Sequence, residues 1–245
     1  MRSSQSSRIL VLGASGGCGR WLVRLAAERG HLVTALIRPS ARLAPLPGVT
    51  IQHGEVLAPG VLEAALPGHE AVLSCLGLRR ANPLNPWSRL LSPPDLTTRV
   101  AQRLVPLMRQ HGVARLLVIS AGGVAESVHQ LSWPVPQLVR LGQVGVAYRD
   151  LAAMERILTE SELDWLAVRP VTLVNGAPTG RARPVADYRL WSHIRRSDVA
   201  AWMLRAVEEA VPFAIRRVLL GAPVLAPPDY AGAGHVSLAA DLHCR

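Results

Sequence analysis

Three glycines near the start of the chain have the spacing of a phosphate-binding loop. Gly13, Gly16 and Gly19 follow the apolar run 9–12, and an apolar helical pattern begins at Trp21. Such a loop lets main-chain N–H groups approach a phosphate, and the start of the helix adds partial positive charge. The order of strand, loop and helix therefore predicts a dinucleotide-binding turn rather than an ordinary strand–helix connection.

Two arginines follow the predicted second strand, residues 31–37. They are Arg38 and Arg42, and no acidic residue follows them until Glu55. In a dinucleotide-binding fold, an acid at this position accepts a hydrogen bond from the ribose 2′-hydroxyl of NAD, whereas an arginine suits a 2′-phosphate. The two arginines therefore predict NADP as the cofactor, and the alternative is that both are solvated surface residues.

The glycine loop also resembles that of a known family. The form Gly-Ala-Ser-Gly-x-x-Gly at residues 13–19 resembles the atypical branch of the short-chain dehydrogenase/reductase superfamily, which includes the biliverdin-IXβ (flavin) reductases and the NmrA-like proteins. Further pieces of the family pattern follow in the same order, at residues 76–77, 119–121, 169–170 and 198–200. The resemblance covers about residues 8–221. It implies a single Rossmann-like α/β domain, a doubly wound parallel sheet of strand order 3-2-1-4-5-6.

The loop, the two arginines and the resemblance together predict the cofactor site. Cys18 is interpreted as a small residue facing a phosphate or the core, although a helix start also favours a thiolate. By resemblance, Glu55 stands where the family usually has an aspartate beside the adenine. The predicted cofactor-binding residues are Gly13, Ser15, Gly16, Gly17, Cys18, Gly19, Arg38, Arg42, Glu55, Val56, Leu76, Gly77, Arg79, Ser120, Ala121, Pro170 and Thr172.

Two residues are candidates for catalysis. Ser120 matches the family's serine at the end of the fifth strand, where open α/β sheets place their chemistry, and the alternative is a hydroxyl that satisfies the local main chain. Tyr148 is a candidate proton donor, with a structural aromatic residue as the alternative. Many members of the superfamily place Tyr-x-x-x-Lys here, but this chain contains no lysine, and Ala152 stands four residues after Tyr148. The ammonium group that would stabilise a phenolate is therefore missing.

Composition limits the remaining functions. The net charge of +10 comes from arginines that are scattered singly or in pairs, and only 4% of residues are aromatic, which argues against a nucleic-acid-binding protein. The three cysteines are widely separated, so we expect neither a disulfide framework nor a metal site. No apolar run approaches the ~20 residues that span a bilayer, and residues 1–7 lack the apolar segment of a signal peptide. A cytoplasmic protein without membrane contact is expected.

Hydrophobic periodicity predicts the elements that position these residues. Asp95 is expected to cap the helix that follows it, and Asp198 to act as a cap and arginine partner. Residues 8–221 should form the NAD(P)-binding domain with its substrate pocket, between a flexible leader (1–7) and an Ala/Pro/Gly-rich tail (222–245). The predicted helices and last strand are 59–66, 96–111, 148–161 and 217–220, and the predicted loops are 80–95, 124–147 and 175–190.

These residues predict an NADPH-dependent oxidoreductase that transfers hydride to an apolar or aromatic small molecule, carbonyl-like or conjugated. The missing tyrosine–lysine dyad motivates a second hypothesis, a non-catalytic NADP(H)-binding regulator of the NmrA type. A third is a cyclase or isomerase that performs no net redox, for which the missing lysine would matter less. Residues 124–147 are a candidate lid or substrate loop, and packing against a neighbouring subunit is the alternative. The expected partner is a small-molecule substrate, and the protein itself is expected to be a monomer or homodimer.

Overall fold

A computed structural model describes residues 6–82, 85, 87–126, 143–189 and 191–222. Most of the predicted leader, lid and tail lies outside these ranges. The strands are β1 (Arg8–Leu12), β2 (Leu32–Ile37), β3 (Val49–His53), β4 (Ala71–Ser74), β5 (Arg115–Ile119), β6 (Asp164–Pro170), β7 (Thr172–Val174), β8 (Arg183–Pro184), β9 (His193–Arg195) and β10 (Arg217–Gly221). The helices are α1 (Gly17–Glu28), α2 (Val61–Ala65), α3 (Leu96–Gln110), α4 (Gln143–Thr159) and α5 (Arg196–Glu208).

The central sheet has the strand order β3-β2-β1-β4-β5-β6-β10-β8. Neighbours from β3 to β10 pair in parallel, and β8 joins the edge antiparallel to β10. The predicted order of the first six strands and the Rossmann-like α/β fold are thus confirmed. β7 and β9 form a separate two-stranded parallel ladder after β6.

β1 shows how the sequence covers both faces of the sheet. Its side chains alternate between the faces, as those of any strand do. Ile9 and Val11 pack in one cluster with residues of α1 and α5, whereas Leu10 and Leu12 pack in a second cluster with residues of α3 and α4. With helices on both faces, the carboxyl ends of the strands form the open edge where ligands of such sheets bind.

The start of α3 is held differently from the prediction. The Asp95 side chain makes no capping hydrogen bond. Instead, the buried carboxylate of Asp150 on α4 accepts the main-chain N–H groups of Thr97 and Thr98, both at 2.9 Å, and their two hydroxyl groups. An acid from a neighbouring helix therefore satisfies the free N–H groups of α3 and joins the two helices.

Two helices differ in length from their predictions. α4 begins at Gln143, ahead of the predicted start at Tyr148, and α2 is confined to Val61–Ala65. Gly60 precedes α2 with a φ of +78°, a conformation that prevents the helix from extending further back. In the part of the chain that the structure describes, no helix has both the length and the apolarity needed to cross a membrane.

Candidate functional site

The glycine loop between β1 and α1 is closely packed. Gly13 has a φ of +72°, and the N–H of Gly16 donates to the Gly13 carbonyl oxygen at 2.9 Å. A Cβ on Gly19 would lie 2.3 Å from that same oxygen, and a Cβ on Gly13 would lie 3.0 Å from the carbonyl oxygen of Cys75. Neither position has room for a side chain unless the main chain moves.

The loop also leaves hydrogen-bond donors available. The first N–H groups of a helix have no hydrogen-bond partner within it. In α1 the first main-chain hydrogen bond runs from Arg20 N to the Gly16 oxygen, so the N–H groups of α1 before Arg20 are free within the described part of the chain. The first turn of α1 contains no acidic residue. The start of α1 therefore combines free N–H groups with the positive end of the helix dipole, a combination that fits a phosphate.

A cavity of about 250 Å³ opens beside the loop, at the carboxyl ends of β1, β2 and β4. It is bounded by the loop itself, by the end of β2, by the turn after β3 and by the segment after β4. The predicted cofactor residues that line it are Gly13, Ser15, Gly16, Arg38, Glu55, Val56, Leu76, Gly77 and Arg79. The fold thus brings much of the predicted adenosine and phosphate site together.

Arg38 lies at one end of this cavity and is half-buried. Among the described residues, its guanidinium group forms neither a hydrogen bond nor an ion pair. Glu55 lines the same cavity but forms no ion pair with it there. A partly buried cation without a partner is costly unless an anion compensates it, so Arg38 is suited to bind one.

Arg42 is exposed and does not line the cavity, so the fold does not bring this predicted cofactor residue to it. A tight turn, in which Ala41 N donates to the Arg38 oxygen at 2.9 Å, separates the two arginines. The carbonyl oxygen of Arg42 accepts from Arg20 Nη2 at 3.3 Å, and Arg20 Nε donates to the Ser15 oxygen at 2.8 Å. Arg20, which no motif predicts, thus braces this turn against the glycine loop.

Gly17, Cys18 and Gly19 form the start of α1 and do not line the cavity. The Cys18 side chain packs in the core, where burial raises the pKa of its thiol to about 11 and the nearby Arg196 charge offsets this only in part. Burial also raises the pKa of the Cys75 thiol. Both thiols are therefore protonated at neutral pH. Of the two positions considered for Cys18, facing a phosphate or facing the core, the structure shows the second.

Ser120 is buried at the end of β5, where its hydroxyl donates to Glu155 Oε1 at 2.6 Å. It lies outside the cavity, as do Ala121, Pro170 and Thr172 at the ends of β5 and β6. The Thr172 hydroxyl is hydrogen-bonded to the Tyr188 hydroxyl at 2.8 Å. In this structure the Ser120 hydrogen is donated to Glu155 and is not available to a ligand.

Glu155 is the centre of a buried charge network that the motifs do not reveal. Arg169 donates to both of its carboxylate oxygens, Nε to Oε1 at 3.0 Å and Nη2 to Oε2, and Arg217 Nε donates to Oε2 at 2.8 Å. Arg169 Nη1 also reaches Glu126 at 2.9 Å. Burial would lower the pKa of Arg169, but hydrogen bonds and charges from Glu155 and Glu126 outweigh it and raise that pKa. The network therefore pairs two arginines, Arg169 and Arg217, with two glutamates, Glu155 and Glu126.

Tyr148 lies on α4 with its hydroxyl donating to the Gly122 carbonyl oxygen at 2.8 Å. Burial, and secondarily Tyr188, raises the pKa of Tyr148 well above its ordinary value. A phenol with a raised pKa and an engaged hydrogen is a poor proton donor. The geometry therefore favours the structural interpretation of Tyr148 over the catalytic one.

Asp198 has a different role from the predicted cap and arginine partner. Its carboxylate accepts from the main-chain N–H groups of Thr179 and Gly180, at 2.6 and 2.9 Å, and from the Thr179 hydroxyl at 2.6 Å. It makes no capping bond at the start of α5. It therefore fixes residues 175–180, which we call the strap, against this helix.

Other cavity residues carry no sequence signal. Leu91, Ser92 and Pro93 line the cavity from the loop before α3, and Leu96 lines it from the first position of α3. The Ser92 hydroxyl accepts from the main-chain N–H of Arg79 at 3.0 Å, which links this loop to the segment after β4. Polar composition alone marks 80–95 as a loop, and only the folded chain shows that it forms a wall of the cavity.

The strand order and the glycine loop define a Rossmann-like nucleotide-binding fold. Residues 13–210 match the NAD(P)H-binding family, and the chain belongs to that family. The solved structure of ChuY, described as an anaerobillin reductase from Escherichia coli O157:H7, shares this fold with 23% identity and a TM-score of 0.69, covering 90% of this chain and 100% of that one. The predicted NAD(P)-binding family is thus confirmed.

Two relatives carry different names. The photosystem II assembly factor Ycf39 of Synechocystis is 25% identical over 216 residues, which are 82% of this chain and 58% of that protein. A 3-diazoavenalumate denitrifying reductase of Streptomyces is 31% identical over 184 residues, 72% of this chain and 59% of that protein. The chain thus spans under two thirds of either relative, and the two names describe different activities.

Proposed function

We propose that the protein binds NADPH in the cavity beside the glycine loop and is a reductase of the atypical short-chain type. Its acceptor would be an apolar or aromatic small molecule, carbonyl-like or conjugated. The observation that carries the cofactor choice is Arg38, a half-buried residue that lines the cavity and whose guanidinium group has no described partner. Its place at the end of β2 is where a dinucleotide-binding fold meets the adenosine ribose.

The chain's own residues would divide the binding of the cofactor between them. The free N–H groups at the start of α1 bind the pyrophosphate, and Arg38 binds the 2′-phosphate. Leu76 and Gly77, which follow β4, also line the cavity. When bound, the dihydronicotinamide supplies a hydride. Because the chain has no lysine and the Tyr148 hydroxyl is engaged, water supplies the proton that completes a reduction.

A second candidate is a non-catalytic NADP(H)-binding regulator, or a cyclase or isomerase without net redox. The hydroxyl groups of Ser120 and Tyr148 both favour it, since each donates its hydrogen to the protein itself. Binding of the dinucleotide is common to all of these functions. What separates them is consumption of the reduced cofactor.

Turnover tests the reductase proposal. Purified protein is mixed with NADPH and a panel of carbonyl compounds and flavins, and absorbance of the reduced nicotinamide is followed. We expect acceptor-dependent loss of NADPH, faster than with NADH at equal concentration. Binding of NADPH without turnover on any acceptor would contradict the reductase proposal and support the second candidate.

A further inference from the structure

Arg196, the first residue of α5, lies against the glycine loop. A Cβ on Gly17 would lie 2.5 Å from Arg196 Cδ and 2.9 Å from its Nε. Burial raises the pKa of the neighbouring Cys18 thiol, and the charge of Arg196 opposes this rise. The positive charge of Arg196 is thus placed beside the first residue of α1, although α5 lies far from the loop in sequence.

Most hydrogen-bond donors of the Arg196 guanidinium group have no partner among the described residues. Its Nη1 donates to the neutral Asn175 Oδ1 at 2.8 Å, and the described ranges contain no carboxylate within 4.0 Å of it. The acid nearest in sequence, Asp198, is engaged by Thr179 and Gly180. Since a guanidinium group has five N–H donors, most of those on Arg196 are available to an anion.

The strap fixes where this charge lies. Arg195 Nη1 donates to the Ala177 oxygen at 2.9 Å, and the Ser197 hydroxyl donates to the Gly176 oxygen at 2.8 Å. Together with the Asp198 contacts, they tie the strap to the first turn of α5. These contacts fix the position of Asn175 at the start of the strap. Asn175 in turn accepts the hydrogen bond that orients the Arg196 guanidinium group.

We propose that Arg196 binds the pyrophosphate of the dinucleotide, with Asn175 positioning its guanidinium group. This inference rests on the proposed function, since it assumes a dinucleotide on the glycine loop. Arg196 would act on a group that NADP(H) and NAD(H) share, whereas Arg38 would act on the 2′-phosphate that only NADP(H) carries. The two arginines thus have separable effects on affinity and on cofactor preference.

The test compares dissociation constants of NADPH, NADH and 2′-AMP for the wild-type protein and for Arg196→Ala. The nucleotide 2′-AMP carries the 2′-phosphate but no pyrophosphate. We expect Arg196→Ala to weaken NADPH and NADH by the same factor, about 10- to 100-fold, as loss of a charged hydrogen-bonding group does. Binding of 2′-AMP should be unchanged. Arg196→Lys, which keeps the charge, should fall between wild type and Arg196→Ala.

Arg205, in the last turn of the same helix, provides the matched control. Arg205→Ala removes the same charge from an exposed position at the other end of α5, so it should bind all three nucleotides nearly as the wild type does. Equal affinities of the two alanine variants, or a loss confined to NADPH, would overturn the role of Arg196 and leave the proposed function standing. A wild-type protein that binds no dinucleotide would overturn both.

Discussion

Replacing Glu155 with alanine is expected to lower the free energy of unfolding by about 3–5 kcal/mol, as removal of one partner from a buried ion pair does. The substitution deprives Arg169, whose side chain is only 4% exposed, of its two hydrogen bonds to a buried carboxylate. It also removes the acceptor of the Ser120 hydroxyl. Urea denaturation at pH 7 measures the effect, and the dependence of the free energy on urea concentration should be unchanged.

Glu126 offers the matched control, because it pairs with the same arginine at 2.9 Å but is 58% exposed. Glu126→Ala should cost less than about 1 kcal/mol, since exposed ion pairs contribute little. Burial would raise the pKa of Glu126, but the Arg169 hydrogen bond and the charges of Arg169 and Arg217 lower it below 4.5. Its contribution is therefore present above pH 4.5 and should fade as the pH falls through the lowered pKa.

The conservative variant Glu155→Gln keeps the volume and an acceptor for Ser120 but removes the charge. It should destabilise less than Glu155→Ala and provides the measurement if the alanine variant does not fold. Equal effects of Glu155→Ala and Glu126→Ala would mean that the buried network does not hold β5, β6 and α4 together. That result would contradict the role given to Glu155.

Replacing Arg38 with alanine is expected to weaken NADPH binding about 10- to 100-fold and to leave NADH within about threefold of wild type. The guanidinium group would pair with the 2′-phosphate, which NADH lacks, so its loss acts on one cofactor alone. Fluorescence titration of both nucleotides measures the two dissociation constants. An equal loss for NADPH and NADH would mean that Arg38 does not recognise the phosphate.

Arg42 is the control for Arg38. It has the same charge and follows the same strand, but it is exposed and lies outside the cavity. Arg42→Ala should therefore change neither affinity by more than about twofold, within the range of a surface substitution. A loss of NADPH affinity as large as that of Arg38→Ala would show that the turn after β2 rearranges to bring both arginines to the ligand.

The sequence predicts the fold well because its signals are local. The apolar runs that form β1, β2, β4, β5 and β6 are buried strands. The glycines at 13, 16 and 19 lie in the loop after β1 and in the first turn of α1, where positions 13 and 19 have no room for a larger residue. The position of Arg38 in the cavity is also predictable, because Arg38 directly follows the last residue of β2. In each case the prediction depends on a few consecutive residues and on the rules for parallel sheets.

The predictions that fail concern side chains whose partners are distant in sequence. Asp95 is adjacent to the start of α3, yet Asp150 from α4 takes the free N–H groups. Asp198 binds Thr179 and Gly180 of the strap rather than an arginine or the start of its own helix. The buried network around Glu155 could have been suspected from the sequence. Glu155 lies on the apolar helix face formed by Leu151, Met154 and Leu158, and a carboxylate buried there requires a partner.

The central claim is that the glycine loop and Arg38 form an NADP(H) site. Its most direct test is calorimetric titration of the wild-type protein with NADPH and with NADH under identical conditions. We predict one NADPH bound per chain, with an affinity at least about tenfold higher than that for NADH, equivalent to about 1.4 kcal/mol. Equal affinities would contradict the assignment of Arg38, and no binding of either nucleotide would contradict the site itself.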